Sequence, residues 1–266
     1  MTEIKIYKDN TKINLEKLIE TRLLFLANAG GGKSYAFRKL LEEINNRIMV
    51  IILDVEGEYK TLREKYDYLL IGGGDGDIPL NIKSADLLPK KLLEHNISTI
   101  IDISELKSKD RILYVKKFLE ALMELPRQYW KPCIIGIEET HKLAGQQDKH
   151  DSGPAVIDLF TRGRKRGFCG VAITQRIAKL HKDIVAECNN VFAGRMWLPN
   201  DIKTAAQILG MNFNEAMALL RNLKPGELYC FGPAINKNIH KGIIDLVKTI
   251  HPNIGVSLKE QIIPNR

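Results

Sequence analysis

The sequence predicts an α/β fold: a mostly parallel central sheet with helices on both faces and a C-terminal β-hairpin. Apolar runs of strand length alternate with helix-period patterns from about residue 22 to the C-terminal region, which is the pattern of a parallel sheet covered by helices. Several runs are apolar throughout, as strands buried on both faces must be. A chain of 266 residues can bury one large core. We read residues 1–21 as an N-terminal extension, 22–250 as a single domain and 251–266 as a C-terminal tail.

Strands are expected at Arg22 to Leu26, Ile48 to Leu53, Thr99 to Ile103, Cys133 to Ile137, Gly170 to Thr174 and Val191 to Gly194. Ile112, Val115, Leu119 and Leu122 recur on one side of a helix that must stop near Pro126. A short strand at Tyr68 to Ile71 runs into GGGDGD, which lacks a following Gly-Lys-Ser helix start and reads as a connector. Gly226 to Phe231 and Ile239 to Val247 form the hairpin around GPAINKN. The stretch AGQQDKHDSGP, Ala144 to Pro154, is polar and aperiodic and is expected to be an exposed loop.

No apolar run approaches the roughly 18 residues of a membrane span, and the N-terminus lacks a secretory signal pattern. A cytoplasmic protein without a membrane partner is the expectation. Cys133, Cys169, Cys188 and Cys230 are too dispersed for a zinc knuckle or redox pair. The formal charge of +8 suits a nucleic-acid partner and equally a solvated lysine-rich surface.

After the run LLFL comes ANAGGGKSYAFRKLLEEI, a Gly-rich turn passing directly into an amphipathic helix. Glycines there let backbone N–H groups turn inward around phosphate oxygens, and the helix N-terminus adds its positive dipole end. Asn28, Ala29, Gly30, Gly31, Gly32, Lys33, Ser34 and Tyr35 are the candidate ATP contacts. Lys33 reaches the β and γ phosphates and Ser34 ligates Mg2+. Ala27 stands where the pattern usually opens with glycine.

Further on, CIIGIEETHKL sets two carboxylates at the end of an apolar strand, a costly place for charge without a cation. Glu138 is assigned to the magnesium shell, and Glu139 to orienting and deprotonating the attacking water. A kinase has no use for such a base, so hydrolysis is favoured over phosphoryl transfer to a second substrate. Two other strand ends carry polar groups, Asp54 in DVEGEY and Gln175 in TQR. Since ligands of open parallel sheets sit outside the carboxyl ends of the strands, Lys33, Asp54, Glu139 and Gln175 should converge. Gln175 is the candidate γ-phosphate or water sensor, or else a strand-end amide satisfying a loop.

Together ANAGGGKS, ILDVEGEY, IIDISEL, IGIEETHKL, TRGRKRGFCGVAITQR and GELYCFG resemble the HerA/FtsK superfamily of P-loop ATPases, closer to its HerA-like branch. The resemblance implies a RecA-like (ASCE) P-loop NTPase motor domain that assembles as a homo-oligomer, usually a hexamer, and moves double-stranded DNA. It also implies an arginine finger given to the neighbouring subunit. Arg164 in GRKRG is assigned that role, with Arg162 and Arg166 as alternatives and a basic helix terminus as the plain reading. HerA-like proteins carry an N-terminal β-barrel, for which residues 1–21 leave no room; a nuclease or other accessory partner is correspondingly doubtful. Viral or mobile-element genome packaging, and a nucleotide-dependent DNA-binding switch, stay open as alternatives. Lys149 and His150, in the loop Gln146 to Asp151, are the expected DNA contact.

Overall fold

The structure, a computed structural model, describes residues 3–147 and 150–252. Its strands are β1 (Glu3–Ile4), β2 (Ile13–Asn14), β3 (Leu23–Leu26), β4 (Met49–Asp54), β5 (Leu69–Gly72), β6 (Thr99–Asp102), β7 (Cys133–Ile137), β8 (Phe168–Thr174), β9 (Asn190–Ala193), β10 (Glu227–Gly232) and β11 (Asn236–Ile243). The helices are α1 (Leu15–Thr21), α2 (Lys33–Ile44), α3 (Leu88–His95), α4 (Ser108–Glu124), α5 (Gly153–Arg162), α6 (Lys182–Glu187), α7 (Pro199–Leu209) and α8 (Phe213–Arg221). A nine-stranded sheet runs in the order β11-β10-β9-β3-β8-β7-β4-β6-β5. From β9 to β5 all neighbours are parallel, while β10 pairs antiparallel with β9 and β11.

Period-two alternation divides the core into two layers. Along β3, Leu23 and Phe25 enter one layer, and Leu24 and Leu26 the other. Leu93, Phe118, Leu159, Ile184, Ile202 and Leu220 of α3 to α8 share the layer of Leu24. The opposite layer holds Leu18 of α1 and Phe37 and Leu40 of α2. Gly136 of β7 is what lets α2 lie this close, because a Cβ there would stand 2.6 Å from the Phe37 ring. The helix after the phosphate loop is thereby seated on the strand that carries the acids.

The expected strands are all present, with shifted ends. β8 starts at Phe168 because Phe168 and Cys169 pair with Cys133 and Ile134. GGGDGD is a self-contained turn after β5, in which Asp77 accepts the Leu70 N–H at 2.9 Å. Residues 3–21 are built into the core, with Ile6, Tyr7, Ile13 and Leu18 fully buried. The last expected strand divides differently. β11 ends at Ile243, and the chain then crosses to α2, where the Glu42 carboxylate accepts the N–H groups of Lys248 and Thr249.

Candidate active site

The phosphate loop is shaped by its glycines and by Asn28. Gly30 and Gly32 take φ of 68° and 91°, in the left-handed region that favours glycine. Gly31 has no room for a side chain, since a Cβ would come within 2.8 Å of the Arg195 carbonyl oxygen. Asn28 fastens the loop to its neighbours: its Oδ1 accepts the Trp197 N–H at 2.6 Å, and its Nδ2 donates to the Gln175 carbonyl at 3.1 Å. The Asn28 side chain is therefore committed to scaffolding. Lys33 and Ser34 open α2 at its N-terminus, both buried.

Strand order decides what faces that loop. Because β8 lies between β3 and β7, Gln175 stands between the lysine of one edge and the acid of the other. Glu139 Oε1 accepts a hydrogen bond from Gln175 Nε2 at 2.6 Å and an ion pair from Lys33 Nζ at 3.2 Å. Glu139 is only 1% exposed, and its φ of 45° is rare for a side-chain-bearing residue, a strained backbone of the kind held at functional sites. Thr140 sets the spacing of β7 and β8 beyond their ends, its Oγ1 donating to the Ile137 carbonyl and accepting the Ile173 N–H. Burial pulls the Lys33 ammonium down, but the carboxylates of Glu139, Glu138 and Glu58 more than offset this and raise its pKa.

Glu138 faces the other way. Its Oε2 accepts the Glu56 N–H at 3.0 Å, and its Oε1 is buried without a donor among the described residues. Beside it Asp54 accepts the N–H groups of Gly57, Glu58 and Tyr59. Burial and then the Asp54 charge push the Glu138 carboxyl well above the ordinary carboxylate range. Burial likewise raises Asp54 to about 6, with its backbone hydrogen bonds opposing. A buried acid oxygen with no donor, close to a phosphate-binding lysine and serine, fits the donor set of a hard divalent cation.

Lys33, Ser34, Asp54, Glu138, Glu139 and Gln175 thus come together at one sheet edge. Arg164 does not join them: it is exposed at the opposite end of β8, roughly 20 Å away at strand rise. Of its alternatives, Arg162 pairs with Asp158 at 3.0 Å and Arg166 stacks over Trp130 at 5.1 Å. Arg164 makes no ion pair among the described residues. Of the expected DNA contacts, Lys149 lies outside the described residues and His150 is half-buried.

Two site residues escape the motif reading. His141 Nδ1 lies 2.9 Å from Thr174 Oγ1 and 3.3 Å from Glu139 Oε2, and burial lowers its pKa. Its signal was a histidine two residues beyond the acid. Arg195, after β9, reaches the Gly30 carbonyl at 3.5 Å and stacks over Trp197 at 5.4 Å.

A phosphate loop, an acid on a strand one removed from it and a polar residue on the strand between define a RecA-like P-loop ATPase fold. Residues 5–83 match the family model described as "Helicase HerA, central domain". The probable helicase MJ1565 of Methanocaldococcus jannaschii is 22% identical over an alignment covering 84% of this chain; the chain spans 62% of that relative's length. Among solved structures, the bacterial conjugative coupling protein TrwB superposes with a TM-score of 0.68 at 13% identity, covering 94% of this chain and 90% of that one. The genome packaging NTPase B204 of Sulfolobus turreted icosahedral virus 2, in complex with ATP-gammaS, gives 0.60 at 16% identity, covering 86% and 99%. VirB4 of Thermoanaerobacter pseudethanolicus gives 0.65 at 15% identity, covering 92% and 96%. These matches agree with the resemblance to the HerA/FtsK superfamily of P-loop ATPases read from the motifs. No helix among the described residues is long and apolar enough to cross a membrane.

Proposed function

We propose that the chain is an ATP-hydrolysing motor subunit that translocates double-stranded DNA as a ring-shaped homo-oligomer. The observation that carries the reading is the buried contact of Lys33 and Gln175 with Glu139, supplied by three adjacent strand ends. In this reading the incoming polyphosphate takes Lys33 from Glu139, which frees the carboxylate to accept a proton from water. Gln175 holds the same carboxylate and orients the attacking water beside the γ-phosphate. Ser34 and Glu138 would hold magnesium, which neutralises charge on the phosphates when bound. Genome packaging is the second reading, favoured by the near-full coverage of B204, itself described as a packaging NTPase.

Phosphate turnover should be measured with and without linear duplex DNA, for the parent and for Lys33→Ala. The parent should hydrolyse ATP and be stimulated by duplex, and the variant should lose tight ATP binding. Undiminished ATP affinity in the variant would remove the phosphate-loop assignment. Turnover indifferent to duplex would leave an ATPase that is not a DNA motor.

Arg164 is the part of this reading that requires a second subunit, since it projects from the far end of β8. Mixed with Glu139→Gln subunits, Arg164→Ala subunits should regain hydrolysis at interfaces that join an intact arginine to an intact acid. A confirmed mixed ring with no recovery at any ratio would rule out Arg164 as the finger.

A further inference from the structure

The cavity at the phosphate loop holds about 750 Å³, and its lining falls into two groups. One consists of residues of the loop itself and of the segments that follow β4 and β8, the elements that meet phosphate and water in the proposed reaction. The other is mostly apolar and includes Pro225, Ile244, Leu246, His251 and Pro252. All of these but Pro225 lie on residues 244–252, a strap that leaves β11. Leu246 is 71% exposed, an apolar side chain with no cover of its own. A nucleotide needs more than a phosphate cradle: its base is flat and largely apolar, and ligand sites meet such groups with apolar and aromatic walls. Within this cavity the strap is the main wall of that kind.

The strap is held along its length. Tyr35, Arg38 and Glu42 stand at i, i+3 and i+7 of α2 and so share one face, and all three bind the strap. The Tyr35 hydroxyl accepts the Val247 N–H at 3.1 Å. The Glu42 carboxylate accepts the N–H groups of Lys248 and Thr249 at 2.7 and 2.9 Å and the Thr249 hydroxyl at 2.7 Å. Arg38 Nη1 donates to that same hydroxyl at 2.9 Å. Further along, Ile250 N–H donates to Glu64 at 3.0 Å, and the Thr61 hydroxyl donates to the Ile250 carbonyl at 2.6 Å. The Tyr35 and His251 rings stand 5.6 Å apart at 46°, adding aromatic surface. Glu42 is 4% exposed. A buried carboxylate is costly unless donors answer it, and among the described residues its hydrogen-bond donors all come from the strap. The helix that opens with the phosphate-binding Lys33 and Ser34 therefore fixes this wall on its flank.

We propose that the strap is the wall that receives the nucleoside of the bound nucleotide, and that Glu42, by clasping Lys248 and Thr249, is the positioning residue that holds the wall in place. This rests on the nucleotide reading of the phosphate loop and adds what binds the rest of the ligand. Glu42 touches no ligand in this reading; it acts through the strap. Loosening the clasp should therefore weaken whatever the strap contacts and spare whatever the phosphate loop contacts.

The test is equilibrium binding of ATP and of inorganic tripolyphosphate to the full chain, for the parent, Leu246→Ser, Glu42→Gln and Lys33→Ala, with thermal melts to confirm folding. Tripolyphosphate reports the phosphate loop alone, so the ratio of the two affinities isolates the nucleoside. The parent should bind ATP about tenfold or more tightly than tripolyphosphate, an apolar contact of base size being worth at least that factor. Leu246→Ser removes apolar surface from the wall, and Glu42→Gln keeps the shape of the clasp and removes its charge. Each should cut the ATP preference about fivefold or more while tripolyphosphate affinity stays within about twofold of the parent. Leu246 is exposed, so its variant tests the wall even where the buried Glu42 variant unfolds. A parent without the preference, or folded variants that keep it in full, would overturn the proposal. Equal losses of ATP and tripolyphosphate in Glu42→Gln would overturn its positioning role, since the clasp would then support α2 and not the wall. Tripolyphosphate binding that is insensitive to Lys33→Ala would instead overturn the phosphate-loop reading, and the proposal with it.

Discussion

Glu138 and Glu139 are neighbours in the chain, yet they close two different crevices at the end of β7. On the β8 side, Glu139 meets a lysine and an amide, both donors, and its charge is answered. On the β4 side, Glu138 meets another carboxyl, Asp54, and no cation, only the Glu56 N–H; each acid keeps one buried oxygen without a hydrogen-bond donor among the described residues. Burial is the same for both, at 1% and 0% exposed, so partners and not solvent access distinguish them. The consequence is chemical. An acid paired with a movable cation becomes available as a base when that cation is drawn away, whereas an acid whose ionisation is opposed by burial and a like charge gains most from an arriving metal ion. The left-handed backbone at Glu139 is what turns consecutive acids into separate crevices.

The largest effect should come from exchanging the two acids in turn. Glu139→Gln keeps the shape and the Gln175 neighbour and removes the base, so turnover should fall about a thousandfold while ATP stays bound. Glu138→Gln should leave more activity at saturating magnesium and raise the magnesium needed for half-maximal turnover by about tenfold. Steady-state rates over a magnesium series, with retained nucleotide measured in parallel, decide between them. The reverse pattern, with Glu138→Gln trapping ATP and Glu139→Gln active, would exchange the two roles.

How much of this was legible follows from where each residue's partners lie. The phosphate loop announces itself because strand, glycines, lysine and helix are contiguous, and the acid pair because charge at the end of an apolar run is rare. The sheet order is not contiguous information. That β8 inserts between β3 and β7, and so sets Gln175 against Glu139, depends on long-range pairing, although the general rule for strand ends anticipated the convergence. That residues 3–21 of the N-terminal extension pack into the core is not legible locally, because their apolar residues find partners only in the folded chain, as Tyr7 does against Phe192. The strap was read as a strand because Ile244 to Val247 suits one; its anchor, Glu42, is some two hundred positions away. His141 was adjacent to a recognised motif, but its relation to Thr174 needed β8 in place.

A smaller effect would sharpen the comparison on the Asp54 side, in the magnesium-free, nucleotide-free protein. Asp54 ties down the turn after β4 by accepting from three backbone donors, on both of its oxygens. Asparagine offers one acceptor oxygen, so Asp54→Asn leaves at least one buried N–H unpaired and should lower stability by about 1–3 kcal/mol. pH moves that difference in a defined direction. Asp54 is raised from 3.8 to about 6 in the folded chain, so the fold binds a proton that the unfolded chain has released between those values. Its contribution is present in full below pH 3.8 and is lost as pH rises through about 6. The parent should therefore lose stability relative to Asp54→Asn on going from pH 4.5 to pH 7, narrowing the gap between them, as read by denaturant unfolding at several pH values in the presence of a chelator. A gap that widens with pH would mean that Asp54 is stabilised as an anion by its N–H donors more than it is opposed by burial and the Asp102 charge, and the two crevices would then differ less than their geometry indicates.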